Sequence, residues 1–216
     1  MTQRTAMVIV FDIRGDLCVL SHRETMTMWV RALARSGLPV SYSAGFNPHP
    51  RLSLPLPRAV GVEGEGEVLW VQLERGCSPS EAEGLARMLP AGCAIRGIEV
   101  PAGPSPRRAV RADYVFERAP GVSADFWLER LHRAHQQLLS GEPILRKRLT
   151  PRKQNKTLDF HSYLEGISGD SEQIRLSCRI APEGTLRVEE MLDWLGLKRE
   201  DLSGSPRRNN VVWISN

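Results

Sequence analysis

No stretch of this 216-residue chain supplies the ~18–20 consecutive apolar residues that a membrane-spanning helix requires. Cysteine is scarce as well. Cys18, Cys77, Cys93 and Cys178 stand far apart with no C-x-x-C spacing, which argues against a disulfide frame or a zinc site and for reduced, mostly buried thiols. No phosphate loop is present: Gly61-Val62-Glu63-Gly64-Glu65-Gly66-Glu67 lacks both the lysine and the spacing of one, and its acids oppose a phosphate. An Arg-x-Asp-x-Gly motif of the pseudouridine synthases is missing too. The start, Met1-Thr2-Gln3-Arg4-Thr5, leads straight into a strand-like run with no cleavable signal pattern, so the expected compartment is cytoplasmic.

What is present is a soluble-type composition, 41% hydrophobic and 25% charged, enough for one large or two small cores. The net charge of +4 is unevenly placed. Residues 107–156 hold 12 Lys/Arg against 5 Asp/Glu, whereas the remainder is net acidic. Within Ile144–Lys156 six of thirteen residues are basic and none is acidic: Arg146, Lys147, Arg148, Arg152, Lys153 and Lys156. A strip of this kind suits a polyanion, most often nucleic acid, although a solvated loop that binds nothing carries the same composition.

The order of elements reads as α+β. Met7–Ile13 is a Val/Ile-rich strand, and Ser21-x-x-Glu24 is a capping box that opens a helix ending near Gly37. Val40–Ser43 and Glu67–Leu73 supply two strands, Ser78-Pro79-Ser80-Glu81 opens a second helix, and Ala94–Val100 is a strand. This is the βαββαβ order of a ferredoxin-like half. Pro101–Pro106 is too rich in Pro and Gly for regular structure. Beyond it the cycle recurs: Val110–Arg118 as strand, a helix from Ser123, strand candidates at Ile144–Leu149 and Leu158–Tyr163, the strand Gln173–Ile180, a helix from Thr185, and a closing strand Asn210–Ile214. The expectation is two tandem ferredoxin-like halves, residues 1–100 and 110–216, joined by a 101–109 linker.

Two groups of the first half could carry chemistry. Arg23, Arg31 and Arg35 recur at multiples of four on one helical stripe, a comb of planar donor forks for phosphate or carboxylate, or simply the solvated back of the helix. His22 lies on the opposite stripe with Met26, Trp29 and Leu33. The second group is Tyr42-Ser43-Ala44-Gly45-Phe46-Asn47-Pro48-His49-Pro50-Arg51, a loop dense in rigid and hydrogen-bonding residues. Tyr42 and Phe46 beside Asn47 and Arg51 suit single-stranded RNA, with ring faces for bases, an amide for their edges and a cation for phosphate. Phe46 could equally plug the core. His49, fixed between two prolines, could share protons with His22 if the two converge. Arg31, Arg35, Asn47, His49 and Arg51 are expected to share one patch, since little chain separates the helix end from the loop.

These residues in this order, Ser21-His22-Arg23, Arg31-Ala32, Arg35, Gly37-Leu38-Pro39-Val40, the loop through Arg51 and the Gly61–Glu67 run, resemble the radical-SAM-linked protein family, densely over residues 4–100. The basic strand and the Lys156-x-x-Asp159 step resemble it more loosely. The resemblance implies a domain that works behind or beside a cobalamin-type radical-SAM enzyme. This chain lacks the three clustered cysteines of such an enzyme, so iron–sulfur cluster, S-adenosylmethionine and cobalamin are expected only in the partner. No catalytic residue and no metal set is assigned. Three readings follow: a non-catalytic RNA-recognition module for a radical-SAM partner, an RNA-processing enzyme built on paired ferredoxin-like halves, and an adaptor that contacts only protein.

Overall fold

A computed structural model describes residues 5–101, 107–149 and 155–215; of Pro79, Ser80, Arg107, Leu149, Asn155, Lys156 and Ser215 it describes the backbone only. Most of the 101–106 linker and the Arg152–Lys153 part of the basic strip therefore lie outside the described residues. The chain forms two compact units, Met1–Ala109 with Trp213–Asn216, and Val110–Val212.

The first unit runs β1 (Thr5–Ile13), α1 (His22–Ser36), β2 (Leu52–Ser53), β3 (Glu63–Leu73), α2 (Pro79–Ala86) and β4 (Cys93–Glu99). Its strands lie in the order β4-β1-β3-β2, all antiparallel, which is a ferredoxin-like half. Alternation along β1 sends Met7, Ile9, Phe11 and Ile13 to a core with Trp29, Ala32 and Leu33 of α1. Phe11 and Trp29 meet edge to face, with centroids 4.9 Å apart. Both expected capping boxes form. Ser21 Oγ accepts from Glu24 N and Ser21 N donates to Glu24 Oε2 at 2.8 Å, and Ser78 and Glu81 do the same ahead of α2. Gly37 ends α1 in the left-handed region at φ 74°.

The second strand is where the sequence expectation shifts. Val40–Ser43 is not a strand: Val40 bridges Leu73 and Ser41 N donates to Gln72 O, but the chain then leaves the sheet. It returns at Arg51, whose carbonyl accepts from Gln72 N, and only Leu52–Ser53 pairs with β3. One edge strand is thus interrupted by a loop, because Pro48 and Pro50 have no N–H for a ladder.

The second unit repeats the plan with β5 (Arg107–Glu117), α3 (Ala124–Leu139), β8 (Leu164–Gly169), β9 (Gln173–Arg179), α4 (Val188–Leu195) and β10 (Arg207–Ser215), in the order β10-β5-β9-β8. Between α3 and β8 stand β6 (Leu145–Leu149) and β7 (Asn155–Asp159), a separate two-stranded hairpin. The Leu158–Tyr163 strand expectation is corrected accordingly. β7 ends at Asp159, a 3₁₀ turn spans Phe160–Ser162, and the sheet strand is β8. Buried Trp127 and Leu131 of α3 and Met191, Leu192 and Leu195 of α4 supply this unit's core.

Candidate nucleic-acid interface

The loop between α1 and β2 is held by its own backbone. Tyr42 bridges Pro50, Ser43 N donates to His49 O at 2.8 Å, His49 N donates to Ser43 Oγ at 3.0 Å, and Arg51 N donates to Ser41 O at 2.8 Å. Gly45, at φ 122°, reverses the chain where an L side chain would be strained. The result presents Phe46 to solvent, fully exposed, so the ring does not plug the core. Asn47, His49 and Arg51 are exposed around it and Tyr42 is partly so. Arg51 Nε lies 3.4 Å from Tyr42 O. An apolar ring held in water by a stapled loop loses little conformational freedom on meeting a ligand face.

On α1, Arg23, Arg31 and Arg35 are all exposed. Arg35 Nη2 donates to Met88 O at 3.0 Å beyond α2, whereas Arg23 and Arg31 have no ion-pair partner among the described residues. No hydrogen bond or ion pair among the described residues joins these arginines to Asn47, His49 or Arg51, so the loop coheres by itself and is not tied to the comb. His22 is the first residue of α1. It lines a cavity of about 10 Å³ with Thr25, Arg58 and Glu67, closed by Phe11 and Leu54. Such a volume holds about one water, not a nucleotide. His49 is not among the lining residues. Glu67 is buried there, and the Arg58 guanidinium donates to Cys18 O at 2.6 Å, Leu20 O at 3.1 Å and Val62 O, which clamps the turn before α1.

In the second unit the basic strip is the β6–β7 hairpin, with Arg146 opposite Leu158, Lys147 opposite Thr157 and Arg148 opposite Lys156. Its cations divide by face. Lys147 is exposed, as is Leu145 beside it, and Arg146 is half-buried with Nη1 donating to Leu145 O at 3.0 Å. Arg148 is drawn out of the strip. It forms a fork with Glu190 of α4, Nε to Oε1 and Nη2 to Oε2 both at 2.6 Å, and Nη2 also donates to Thr185 O at 2.9 Å. With side chains only 13% and 17% exposed, that pair docks the hairpin on its own unit, so Arg148 is structural where the sequence placed it with the ligand-facing cations. Asp159 closes the hairpin's base by accepting from Ile144 N at 2.9 Å and His161 N at 3.0 Å.

Other features were opaque in the sequence. The Gly61–Glu67 run is the start of β3 and a packing device. Glu63 Oε1 accepts from Gly15 N, Glu65 Oε1 accepts from Arg14, Gly66 N donates to Asp12 Oδ1, and a Cβ on Gly64 would stand 2.5 Å from Glu67 Oε1. Asp12 is buried, which by itself raises its pKa. Two N–H bonds from Arg96, the Gly66 amide and the Arg14 charge outweigh that and hold the carboxyl below its ordinary value. Burial pushes the Cys93 thiol up to about 12 and the Cys178 and Cys77 thiols upward, so none of the three is a poised nucleophile. Among the described residues no three His, Cys, Asp or Glu side chains gather as a metal set, and no helix is long and apolar enough to cross a membrane. Sequence reasoning also passed over Arg111, Arg175 and Arg179. Period-2 alternation could have put each on a face, but only the strand register brings them together.

A bacterial family described as "Uncharacterized protein conserved in bacteria (DUF2344)" matches residues 7–191, so the chain belongs to that family. No curated protein matches the chain. Among solved structures, the acetolactate synthase small subunit from Thermotoga maritima is similar at 9% identity over 99% of this chain and 98% of that one, with a TM-score of 0.25.

Proposed function

We propose that this member of the DUF2344 family is an RNA-recognition module that performs no reaction alone and holds single-stranded RNA for a radical-SAM partner in the cytoplasm. One observation carries the reading: both halves enlarge the same connection, from first helix to second strand, and arm it with exposed recognition chemistry. The first half offers Phe46 and Tyr42 for base stacking, with Asn47, His49 and Arg51 around them. The second offers a basic hairpin for phosphates. Exposed aromatic faces suit bases, and the lysine-containing basic strip suits a phosphate backbone better than a protein interface, where lysine is depleted. The partner rests on the motif resemblance of residues 21–67, and the cluster, S-adenosylmethionine and cobalamin belong to that partner.

The test is fluorescence anisotropy of the full chain with labelled single-stranded RNA across a salt series. Contact with ~4–6 phosphates gives a slope of log affinity on log salt of about −3 to −4. Replacing Arg146, Lys147, Arg152 and Lys153 with glutamine, and leaving Arg148 in place, is expected to flatten that slope while the fold persists. Absence of binding at low salt, or cleavage or modification of RNA by the isolated chain, contradicts the reading.

A further inference from the structure

The two central strands of the second unit's sheet pair in a register that sorts their side chains by face. Ala112 opposite Cys178, Tyr114 opposite Leu176 and Phe116 opposite Ile174 are buried pairs on the helix-covered side. The other side carries Arg111 opposite Arg179, Asp113 opposite Ser177 and Val115 opposite Arg175. Directly opposed residues of an antiparallel pair have Cβ atoms about 4.5–5.5 Å apart, and like charges so placed weaken the sheet. The acids nearby offset the charge of this pair only in part. Asp113 is buried and committed: it accepts from Ser177 Oγ at 2.7 Å and Asn210 Nδ2 at 3.0 Å, with Arg175 Nη1 at 3.6 Å. Glu165 reaches Arg111 only at 4.0 Å, with both side chains nearly half exposed. Arg179 is exposed and has no acid within ion-pair distance among the described residues.

We propose that Arg111 and Arg179 form a two-fork phosphate grip on the face of the second unit's sheet opposite those buried pairs, taking the phosphodiester backbone of single-stranded RNA. An anion between the two guanidiniums turns their mutual repulsion into two charge-assisted contacts, each able to be bidentate. Farther along β5 the same face is closed, with Asp113 and Val115 buried, so the grip lies at the exposed Arg111–Arg179 end of the strand pair. Ser177 and Asn210 flank the grip, already oriented by Asp113. The proposal rests on the RNA reading and adds a site to it that is separate from the hairpin.

The experiment uses the full chain and a fluorescein-labelled oligouridylate of about twelve nucleotides, long enough to cover a single binding surface. R111Q/R179Q is expected to weaken binding about tenfold or more and to reduce the salt slope by about 1–2. R179E creates a cross-strand pair with Arg111. It is expected to weaken binding at least as much while raising Tm by about 1–4 °C, a combination that a purely structural role cannot give. Wild-type affinity and slope in R111Q/R179Q, with the wild type binding normally, overturns the grip and leaves the RNA reading standing. No RNA binding by the wild type overturns both. Equal affinity for a poly-glutamate of the same length assigns the pair to an acidic protein segment and overturns the phosphate assignment.

Discussion

The two halves share one plan and depart from it at the same point. In each, the first helix leads into an enlarged connection before the second strand: residues 37–51 after α1, residues 140–163 after α3. The first connection is a stapled loop rich in Pro, Gly and aromatic residues. The second is an independent hairpin whose described cations are split between docking and exposure. Each half also buries one aspartate on its first strand, Asp12 and Asp113, but the partners differ. Asp12 is held by two guanidiniums and an amide, Asp113 by a hydroxyl, a side-chain amide and a more distant arginine. In the RNA reading the divergent insertions carry most of the recognition, and the Arg111–Arg179 pair adds a phosphate contact from the sheet.

The comparison breaks most severely at the two core tryptophans. Trp29 and Trp127 are both fully buried on the first helix of their halves. Replacing either with alanine is expected to cost about 3–5 kcal/mol, read by urea denaturation, and a loss below about 1 kcal/mol in one half shows that its core is organised differently.

Next is the hairpin's anchor. R148A leaves Glu190 half-enclosed without its fork and is expected to lower stability by about 2–3 kcal/mol, somewhat under a fully buried pair. K147Q, on the exposed face, is expected to stay within about 0.5 kcal/mol and to lower RNA affinity only. Equal stability of the two variants removes the distinction drawn between docking and binding cations.

The buried aspartates sharpen the comparison through pH. Asp12 has a folded pKa below its unfolded value, so it contributes stability above about pH 4, and this is lost as pH falls through the folded value. D12N is expected to cost about 1–2 kcal/mol near neutral pH, with the gap to wild type closing on acidification. A gap that widens in acid reverses the assigned sign.

Smallest in stability is F46A. The ring touches solvent alone, so unfolding is expected to change by less than about 0.5 kcal/mol, while RNA affinity falls by the ~1–3 kcal/mol of one stacked base.

Local chemistry made much of this legible. The capping boxes at Ser21 and Ser78 and the alternation of β1 are encoded within a few residues, and the structure has them where the pattern puts them. The second strand of each half was misplaced for one physical reason: Leu52–Ser53 and Leu164–Gly169 are edge strands behind long insertions, and the sequence nearest the helix is the more strand-like. Exposure of Phe46 depends on backbone staples between Ser43 and His49 that no periodicity records. The diversion of Arg148 to Glu190 spans 42 residues and is equally invisible locally. The opposition of Arg111 and Arg179 depends on register, which a period-2 pattern leaves open.

The most direct measurement is ultraviolet crosslinking of the full chain to uridine-rich single-stranded RNA, followed by peptide mapping. The account predicts crosslinked peptides from both insertions, one containing Tyr42 or Phe46 and one from the β6–β7 hairpin, both suppressed at high salt. Crosslinks confined to other parts of the chain, or none at low salt, contradict it.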